Sequence, residues 1–363
     1  MTARHPRRTI APRPALVGLA VISAIVGAFA VVRAAENVWT VDAERNLEAA
    51  RALANGSFGT VVDYLYSPLA AALTMLALAV PTDVAVLAWL TFELILLVVA
   101  TAVATRGREL PDRLLAGVAV ICFLPILYDL ELGNVTVVVA ASVALVAWTP
   151  DRVATGIPFG LVLATAPKPQ LIPVLIWLAV FHRRALAGAI GTAALATLAG
   201  LALAGPAAYT TWVEILRAPR YLGGERVINL ALWSLPLPLA VGGSVAAVGA
   251  FVVALRRGHW PGLIAAICVG LLLAPYTLIY AAGVLLVGVP AAVRAAPRAV
   301  LALAITAPIA LVVAFPLWVG AVLALTAMVP ADRWPSSLDP EPAAPAFVPA
   351  EAPPDLGNQA QRP

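Results

Sequence analysis

DVAVLAWLTFELILLVVATAVAT, residues 83–105, is an apolar run with one acid in its interior, Glu93, and with Arg106 and Arg108 directly after it. A run of about 20 apolar residues is enough for a helix to cross the hydrocarbon core of a bilayer. The rest of the chain is similarly apolar, because 62% of its 363 residues are hydrophobic and only 12% are charged. So few charges could not cover a soluble globule with polar surface. The composition therefore predicts an all-α polytopic membrane protein.

Comparable apolar runs recur along the chain and predict a bundle of about 11 to 13 transmembrane helices. The runs lie near residues 15–33, 83–105, 114–128, 134–149, 153–166, 170–182, 185–205, 230–255, 261–275, 277–293, 299–314 and 316–330. The first run is longer than the roughly 7–15 residues of a signal-peptide core, so we interpret it as a retained helix. The predicted organisation is a basic cytoplasmic N-terminus at 1–14, a transmembrane domain at 15–330 and a disordered Pro- and Ala-rich cytoplasmic tail at 331–363.

The gaps between these runs alternate between two kinds. One kind is rich in arginine, and the other holds acids, Asn, Tyr and the only lysine of the chain, Lys168. Short basic loops stay in the cytoplasm, so the gaps of the second kind, and any chemistry in them, are predicted to face the extracytoplasmic side of the cell membrane. One further run, 64–80, fits this alternation only if it dips into the membrane and returns. The basic residues are spread singly over short loops, which argues against a nucleic-acid partner.

The first long extracytoplasmic gap, residues 34–63, contains apolar residues at helical spacing. This spacing predicts a short amphipathic helix that lies flat with its apolar face against the membrane surface and ends at Asn55-Gly56. Asp42 opens the helix and has two interpretations. It is either a general base that accepts a proton from a hydroxyl group or the N-cap residue that satisfies a free backbone N–H. Glu44 is the nearest alternative base, and otherwise a solvated residue.

Lys168 lies in Ala166-Pro167-Lys168-Pro169-Gln170, a break between two apolar runs. Prolines free backbone groups and fix the turn, an arrangement that is costly at a membrane boundary unless an anion or a cavity receives it. One interpretation is that Lys168 contacts a phosphate group. The other is that it is a lysine at a helix end whose ammonium group reaches the membrane surface.

Acids also cluster between two runs in Tyr128-Asp129-Leu130-Glu131-Leu132-Gly133-Asn134. Such a group could hold a cation or sugar hydroxyls, and it could equally be a solvated loop. Glu93 is the one acid well inside a predicted span, and is either functional or a neutral packing residue. All three histidines fall in cytoplasmic gaps or at their edges, so histidine catalysis on the other side is not expected. No metal-binding or cofactor-binding motif is present in the sequence.

This layout resembles the GT-C superfamily of membrane glycosyltransferases and, within it, glycosyltransferase family 87, the polyprenol-phosphate-mannose-dependent α-mannosyltransferases. The resemblance covers roughly residues 15–330. The matching motifs are Asp42, Ala49-Ala50, Gly56 and Tyr66-Ser67-Pro68 in the first loop, then Gly133-Asn134-Val135-Thr136, then Gly156 to Gly160 with Lys168-Pro169-Gln170, and finally Asn229-Leu230-Ala231-Leu232 and Ala274-Pro275-Tyr276-Thr277. The sequence departs from the family pattern at Asn134, where the family has Gln, and after Pro275, where Tyr276 and Tyr280 stand in place of a histidine.

The resemblance implies transfer of a hexose, mannose, from a polyprenyl-phosphate donor to a lipid or cell-envelope glycan acceptor. Asp42 would deprotonate the acceptor hydroxyl, and Lys168 with Arg226 would neutralise the donor phosphate as charge develops on the leaving oxygen. The predicted site includes no cofactor and no metal ligand. The residues expected to contact the substrates are Glu44, Tyr66, Asp129, Glu131, Asn134, Gln170, Asn229 and Tyr276.

Two other functions fit the same sequence features. A carrier or flippase for a lipid-linked or small substrate would also place an acid and a lysine in broken helices. A non-catalytic subunit of an envelope-biosynthesis complex would fit the missing histidine. Inverted internal repeats would favour the carrier, and the sequence contains no convincing pair of them.

Overall fold

The computed structural model of the protein describes residues 41–335 except 62–63, 107, 122, 218–230 and 276, together with the isolated positions 17 and 21. The predicted cytoplasmic N-terminus, nearly all of the first predicted span and the tail beyond residue 335 lie outside the described residues.

Fifteen α-helices follow one another within the described residues, and none of these residues forms a strand. The helices are α1 (Val41–Ala54), α2 (Pro68–Thr74), α3 (Thr82–Ala104), α4 (Leu110–Ile121), α5 (Leu124–Leu132), α6 (Thr136–Trp148), α7 (Val153–Thr165), α8 (Ile172–Phe181), α9 (Arg183–Ala204), α10 (Pro206–Arg217), α11 (Leu237–Arg257), α12 (His259–Leu273), α13 (Val289–Ala295), α14 (Pro297–Val313) and α15 (Phe315–Met328). Short 3-10 segments accompany them at Phe58–Thr60, Met75–Ala79, Pro169–Leu171, Leu232–Ser234, Ile279–Gly288 and Ala331–Arg333.

Three of these helices, α3, α9 and α11, are long and apolar enough to cross a membrane by length and composition. Most of the others are also apolar but shorter, with 10 to 17 residues in eight of the helical stretches. A bundle of many short apolar helices around a few long ones confirms the predicted all-α polytopic membrane protein.

Helix boundaries inside the predicted spans differ from the sequence prediction at two places. The predicted span 114–128 is two helices, α4 and α5, because Pro125 lies in the first turn of α5 and cannot continue a helix from the preceding residues. The predicted span 277–293 begins as a 3-10 segment, Ile279–Gly288, before α13. A Cβ at Gly283 would lie 2.8 Å from Ile126, so this segment packs more closely than a bulkier residue would allow.

The apolar run 64–80 forms α2 and a 3-10 segment, Met75–Ala79. At about 1.5 to 2.0 Å per residue these two pieces reach roughly 20 Å, which is short of the roughly 30 Å hydrocarbon core. Other apolar helices of the bundle have a similar length, so whether this run crosses the membrane or dips into it stays a prediction.

Helix α1 is present where the sequence predicted a short amphipathic helix, and it ends before Asn55 and Gly56 as expected. The prediction that its apolar face lies against the membrane surface is wrong. Leu47, Ala49 and Ala50 are buried by the protein itself, mainly by α2 and the segment that follows it. Alanines allow this close approach because they add little volume between two backbones.

Helices α7 and α9 form the tightest seam of the bundle. A Cβ at Gly156 would lie 1.8 Å from the carbonyl oxygen of Ala185, and one at Gly188 would lie 2.0 Å from the carbonyl oxygen of Val153. Small residues spaced by four positions let membrane helices approach until their backbones touch. This close packing positions the C-terminal end of α7, and Lys168 lies three residues after that end.

The core of the bundle is built around α12, in which every residue from His259 to Leu272 is buried. The predicted tail also contributes, because Trp334 is partly buried and packs against this core.

Candidate active site

Asp42 lies in the first turn of α1 and accepts a hydrogen bond at Oδ2 from Nδ2 of Asn134, at 2.5 Å. The helix already includes Val41, so Asp42 is not its N-cap residue, and that interpretation is wrong. Asp42 is partly exposed, and its Oδ1 makes no hydrogen bond within the part of the chain that the structure describes. Asn134 thus holds one carboxylate oxygen in place.

Gly133 allows α1 to come close enough for this contact. It ends α5 in the left-handed conformation, with φ of 64°, and a Cβ at this position would lie 2.7 Å from Cβ of Ala43. Glycine meets both demands, since it adopts positive φ without strain and has no side chain to collide with the neighbouring helix. The backbone N–H of Asn134 donates to the carbonyl of Asp129 at 3.0 Å, which completes the turn.

Asn134 joins the two charged residues that the sequence singled out. Its Nδ2 donates to Asp42, and its Oδ1 accepts a hydrogen bond from Nζ of Lys168 at 3.1 Å. The same Oδ1 also accepts the backbone N–H of Val135 at 2.7 Å, which fixes the orientation of the amide. Asn134 itself is buried, with 1% of its surface exposed. One side-chain amide therefore lies between the candidate base and the candidate phosphate-binding cation.

Lys168 is also surrounded by aromatic rings. Its Nζ lies 5.3 Å from the ring centre of Tyr280 and 5.9 Å from that of Tyr66, distances at which a ring attracts a cation. Burial lowers the pKa of Lys168, and the carboxyl groups of Asp129 and Asp42 act in the opposite direction. These surroundings are poorly hydrated, and the attraction of an ammonium group for an anion is stronger there than in water.

The loop that carries Tyr66 is tied to the end of α7. The backbone N–H of Ser67 donates to the carbonyl of Thr165 at 2.8 Å, and its hydroxyl donates to the carbonyl of Ala164 at 2.7 Å. Lys168 follows these carbonyls after a short turn through Pro167, so the two loops are held side by side. This contact explains how residues about 100 positions apart meet at one ammonium group.

Asp129 has a different place from the one predicted. It is completely buried, and its two carboxylate oxygens accept the backbone N–H groups of Thr136 at 3.2 Å and Val137 at 3.0 Å. Asp129 thus caps the first turn of α6, where a negative charge is favourable. Asp129 lies beyond the predicted span that ends at Tyr128. Burial raises its pKa, Lys168 and the two N–H groups act in the opposite direction, and the resulting pKa is about 6.

The remaining predicted residues do not all converge on this cluster. Glu44 is exposed on α1, Glu131 is partly buried, and the backbone of Gln170 packs closely on Gly270 of α12. Arg226, Asn229 and Tyr276 lie outside the described residues. Among those that are described, no three His, Cys, Asp or Glu side chains are placed to hold a metal ion together.

Two features that shape the candidate site were missing from the sequence prediction. Tyr280 stands after Pro275 where a histidine was expected, and its ring is nearer to Lys168 than that of Tyr66. The close contact of Gly133 with Ala43 was also missed, although the Gly133-Asn134 pair at a helix end was a usable signal for a positive φ.

An apolar cavity of about 230 Å³ opens between α3, α4, α6, α14, α15 and the 3-10 segment Ile279–Gly288. We refer to it as the apolar cavity, with Leu97, Phe123, Ile126, Gly283, Leu303 and Trp318 in its wall. Gly283 lies against both Ile126 and Thr136, and Thr136 is hydrogen-bonded to Asp129. One end of the apolar cavity is therefore a single residue away from the polar cluster.

The family model for glycosyltransferase family 87 matches residues 64–278, which is more than half of the chain. The matched residues include Tyr66, Asp129, Asn134 and Lys168, whereas Asp42 precedes them and Tyr280 follows them. The curated proteins and the solved structures that were searched gave no match. A family match over this length, on a polytopic helical bundle with a carboxylate and an ammonium group joined by one amide, means that the chain is a membrane glycosyltransferase and belongs to glycosyltransferase family 87.

Proposed function

We propose that the protein transfers a hexose, mannose, from a polyprenyl-phosphate donor to a lipid or cell-envelope glycan acceptor on the extracytoplasmic side of the cell membrane. The observation that carries this proposal is the position of Asn134 between Asp42 and Lys168. A base for the acceptor hydroxyl and a cation for the leaving phosphate then lie on either side of one amide group.

In the proposed reaction Asp42 removes the proton of the acceptor hydroxyl as the oxygen attacks the anomeric carbon. The bond between that carbon and the phosphate oxygen breaks, and its electron pair remains on the polyprenyl phosphate. Lys168 neutralises this developing charge, which is worth most in a site that excludes water. A single displacement of this kind inverts the configuration at the anomeric carbon. Asn134 holds Oδ2 of Asp42, which leaves Oδ1 for the proton.

The apolar cavity supports a donor that is linked to a lipid. Its wall is mostly aliphatic and aromatic, and its residue Gly283 lies against Thr136, which is hydrogen-bonded to Asp129. A polyprenyl chain in this cavity would place its phosphate group near Lys168. A soluble nucleotide sugar would have no use for such a cavity.

The arginine distribution supports the extracytoplasmic side. Glu48 and Glu214 belong to gaps of the acidic kind, and Arg257 belongs to a gap of the basic kind. Single cysteines at Glu48 and Glu214 should react with an impermeant maleimide in whole cells, whereas one at Arg257 should react only after lysis. Reaction at position 257 in intact cells would place the site in the cytoplasm.

The reaction itself is tested with purified protein, radiolabelled polyprenyl-phosphate-mannose and a membrane lipid extract. We expect the label to move to a lipid or glycan product and polyprenyl phosphate to be released. Polyprenyl-phosphate-glucose serves as the control for the identity of the sugar. Binding or membrane passage of the donor without any transfer would support a carrier or a non-catalytic subunit instead.

A further inference from the structure

The apolar cavity extends along most of α14. Its wall residues on this helix are Ala299, Val300, Leu303, Ala304, Ala307 and Leu311. Residues three and four positions apart lie on one face of a helix, so the cavity follows a single face of α14. At about 1.5 Å per residue, the distance from Ala299 to Leu311 is about 18 Å. A space of this length suits an extended chain rather than a sugar or a phosphate group.

The 3-10 segment Ile279–Gly288 leads from Lys168 to this cavity. The ring centre of Tyr280 lies 5.3 Å from Nζ of Lys168. Residues three positions apart lie on the same face of a 3-10 helix, so Tyr280, Gly283 and Leu286 follow one another along it. Gly283 and Leu286 belong to the wall of the cavity. At about 2 Å per residue the step from Tyr280 to Gly283 is about 6 Å, roughly the length of one isoprene unit.

The cavity begins at the level of Leu97 on α3. Leu97 packs with Ile126, and Ile126 lies against Gly283. Farther along α3 the wall continues through Ala100 to Ala104. Ala104 is the last residue of α3 and lies about 10 Å beyond Leu97 along the helix axis. Its small side chain leaves the cavity open at this depth.

The size of the cavity limits how much of a chain it can hold. An apolar cavity of about 150 Å³ accommodates benzene with its six carbon atoms, so a volume of about 230 Å³ holds about nine carbons, or about two isoprene units. The length gives the upper limit, because an extended isoprene unit spans about 4 to 5 Å and about four units therefore cover the 18 Å along α14. One further unit lies between Tyr280 and Gly283. The protein can thus contact about three to five units of a polyprenyl chain.

A polyprenyl chain that moves from the bilayer into the cavity exchanges one apolar environment for another. The gain then comes from close packing against the wall and not from the hydrophobic effect, since lipid tails are as apolar as leucine side chains. Isoprene units that remain outside the cavity make no such contacts. They should therefore add nothing to donor binding.

We propose that the apolar cavity binds only the three to five isoprene units next to the donor phosphate, and that Ala104 is a specificity-determining residue at the depth that the third unit reaches. The rest of the chain stays in the bilayer. This inference rests on the proposed function, because it assumes a polyprenyl-phosphate donor. It adds a limit to the length of chain that the protein distinguishes.

The test compares polyprenyl-phosphate-mannose donors that contain two, five and eleven isoprene units. The purified full-length protein is assayed in detergent at one ratio of donor to detergent, and kcat/KM for the donor is measured with each chain length. For the wild type we expect kcat/KM to rise from two units to five and to be equal for five and eleven. A rise from five units to eleven, or equal values for two and five, would overturn the inference and leave the proposed function intact.

Ala104→Phe should shorten the part of the chain that the protein distinguishes. A phenylalanine on a helix leans over the preceding turn, so the ring would occupy the space of the third isoprene unit. We expect wild-type kcat/KM with the two-unit donor and a value about tenfold lower than that of the wild type with five and eleven units, because overfilled apolar sites are costly. Dividing each value by that of the wild type for the same donor removes differences in how the donors partition into detergent.

Val99→Phe is the matched control on the same helix. Val99 is 51% exposed and does not belong to the wall of the cavity, so its replacement should leave kcat/KM unchanged with all three donors. If Ala104→Phe fails to fold, Ala104→Leu applies the same test with a smaller side chain.

Two results with the Ala104 variant would overturn the inference. Wild-type activity with every donor would mean that the chain does not enter the cavity to this depth. An equal loss with all three donors would mean that another segment of the protein fills the cavity or that the substitution disturbs the fold. A wild type that transfers sugar from no polyprenyl-phosphate donor of any length would instead refute the proposed function, and the inference with it.

Discussion

Helices α8 and α12 lie side by side and carry a buried polar cluster at each end. At one end Nε2 of His182 lies 2.8 Å from Nε2 of His259, and Trp177 and Trp260 pack around the two rings. At the other end the backbone of Gln170 packs against Gly270. Gln170 lies two residues after Lys168 in the sequence. The two ends share the same helices and the same apolar surroundings, but they differ in charge.

In the histidine pair each Nε2 has the other ring as its partner and aromatic side chains surround it, while both Nδ1 atoms are buried without a hydrogen bond in the described residues. The Lys168 end carries formal charges that are only partly matched, and Asp42 keeps an oxygen without a hydrogen bond in the described residues. Polar burial alone therefore does not mark a reactive site. Both ends leave some hydrogen-bonding capacity unused, so the partly matched charges and the partly exposed carboxylate of Asp42 are what distinguish the Lys168 end from the histidine pair.

The largest effect is expected at Asp42. Asp42→Asn keeps an oxygen that can accept the hydrogen bond of Asn134, so the protein should purify and melt like the wild type. It removes the proton acceptor, and loss of a general base costs about 10² to 10⁴ in rate. Initial rates of sugar transfer measure this loss. Glu44→Gln, an exposed change on the same helix, should leave the rate unchanged, and an active Asp42→Asn protein would show that the base lies elsewhere.

Gly133→Ala should change the position of Asp42 without removing any side chain that we assign to the reaction. The added Cβ would lie 2.7 Å from Ala43 and push α1, and with it Asp42, away from Asn134. A displacement of about 1 Å can lower a rate by about 10². Gly56→Ala is the matched control, because Gly56 also has positive φ, 68°, but no atom near the added Cβ. Equal transfer rates in the two variants would mean that the contact with Ala43 does not position Asp42.

Lys168→Ala removes the cation that we assign to the donor phosphate. A hydrogen bond to a charged group contributes about 1.5 to 3 kcal/mol, so kcat/KM for the donor should fall about ten- to a hundredfold. Lys168→Arg keeps the charge but changes the geometry, and should retain part of the activity. The measurement is a donor titration at saturating acceptor. Wild-type kinetics in Lys168→Ala would leave Lys168 as a lysine that merely reaches the membrane surface.

The sequence was sufficient to predict the helical membrane architecture and the break around Lys168, and it drew attention to Asp42 and Lys168, which the structure brings to the same amide group. These follow from hydropathy, from prolines and from the arginine pattern, all of which are local signals. The meeting of Asp42 with Asn134 was not predictable in this way, because it depends on how closely α1 packs on Gly133. The role of Asp129 was also hidden, since a solvated acid and an acid that caps a buried helix look alike in sequence.

The smallest effect is expected at the histidine end. A fall in pH should lower the stability of the folded protein through the histidines, whereas it should raise stability through Asp129. His182 lies between α8 and α9, and burial lowers its pKa. The unfolded chain therefore binds a proton at this residue first as the pH falls through about 6.5, and stability is lost. Asp129 has a raised pKa of about 6, so it gains a proton in the folded protein and adds stability over the same fall in pH.

A double variant, His182→Gln with His259→Gln, keeps a polar pair and removes only the histidine contribution. Between pH 7.5 and 5.5 the wild type should lose about 1 to 3 kcal/mol more stability than the double variant, because burial lowers the pKa of both histidines, and this is seen as a larger drop in Tm in detergent. Equal drops would show that the histidine pair is not kept neutral by burial, and the contrast between the two ends would then rest on the Lys168 cluster alone.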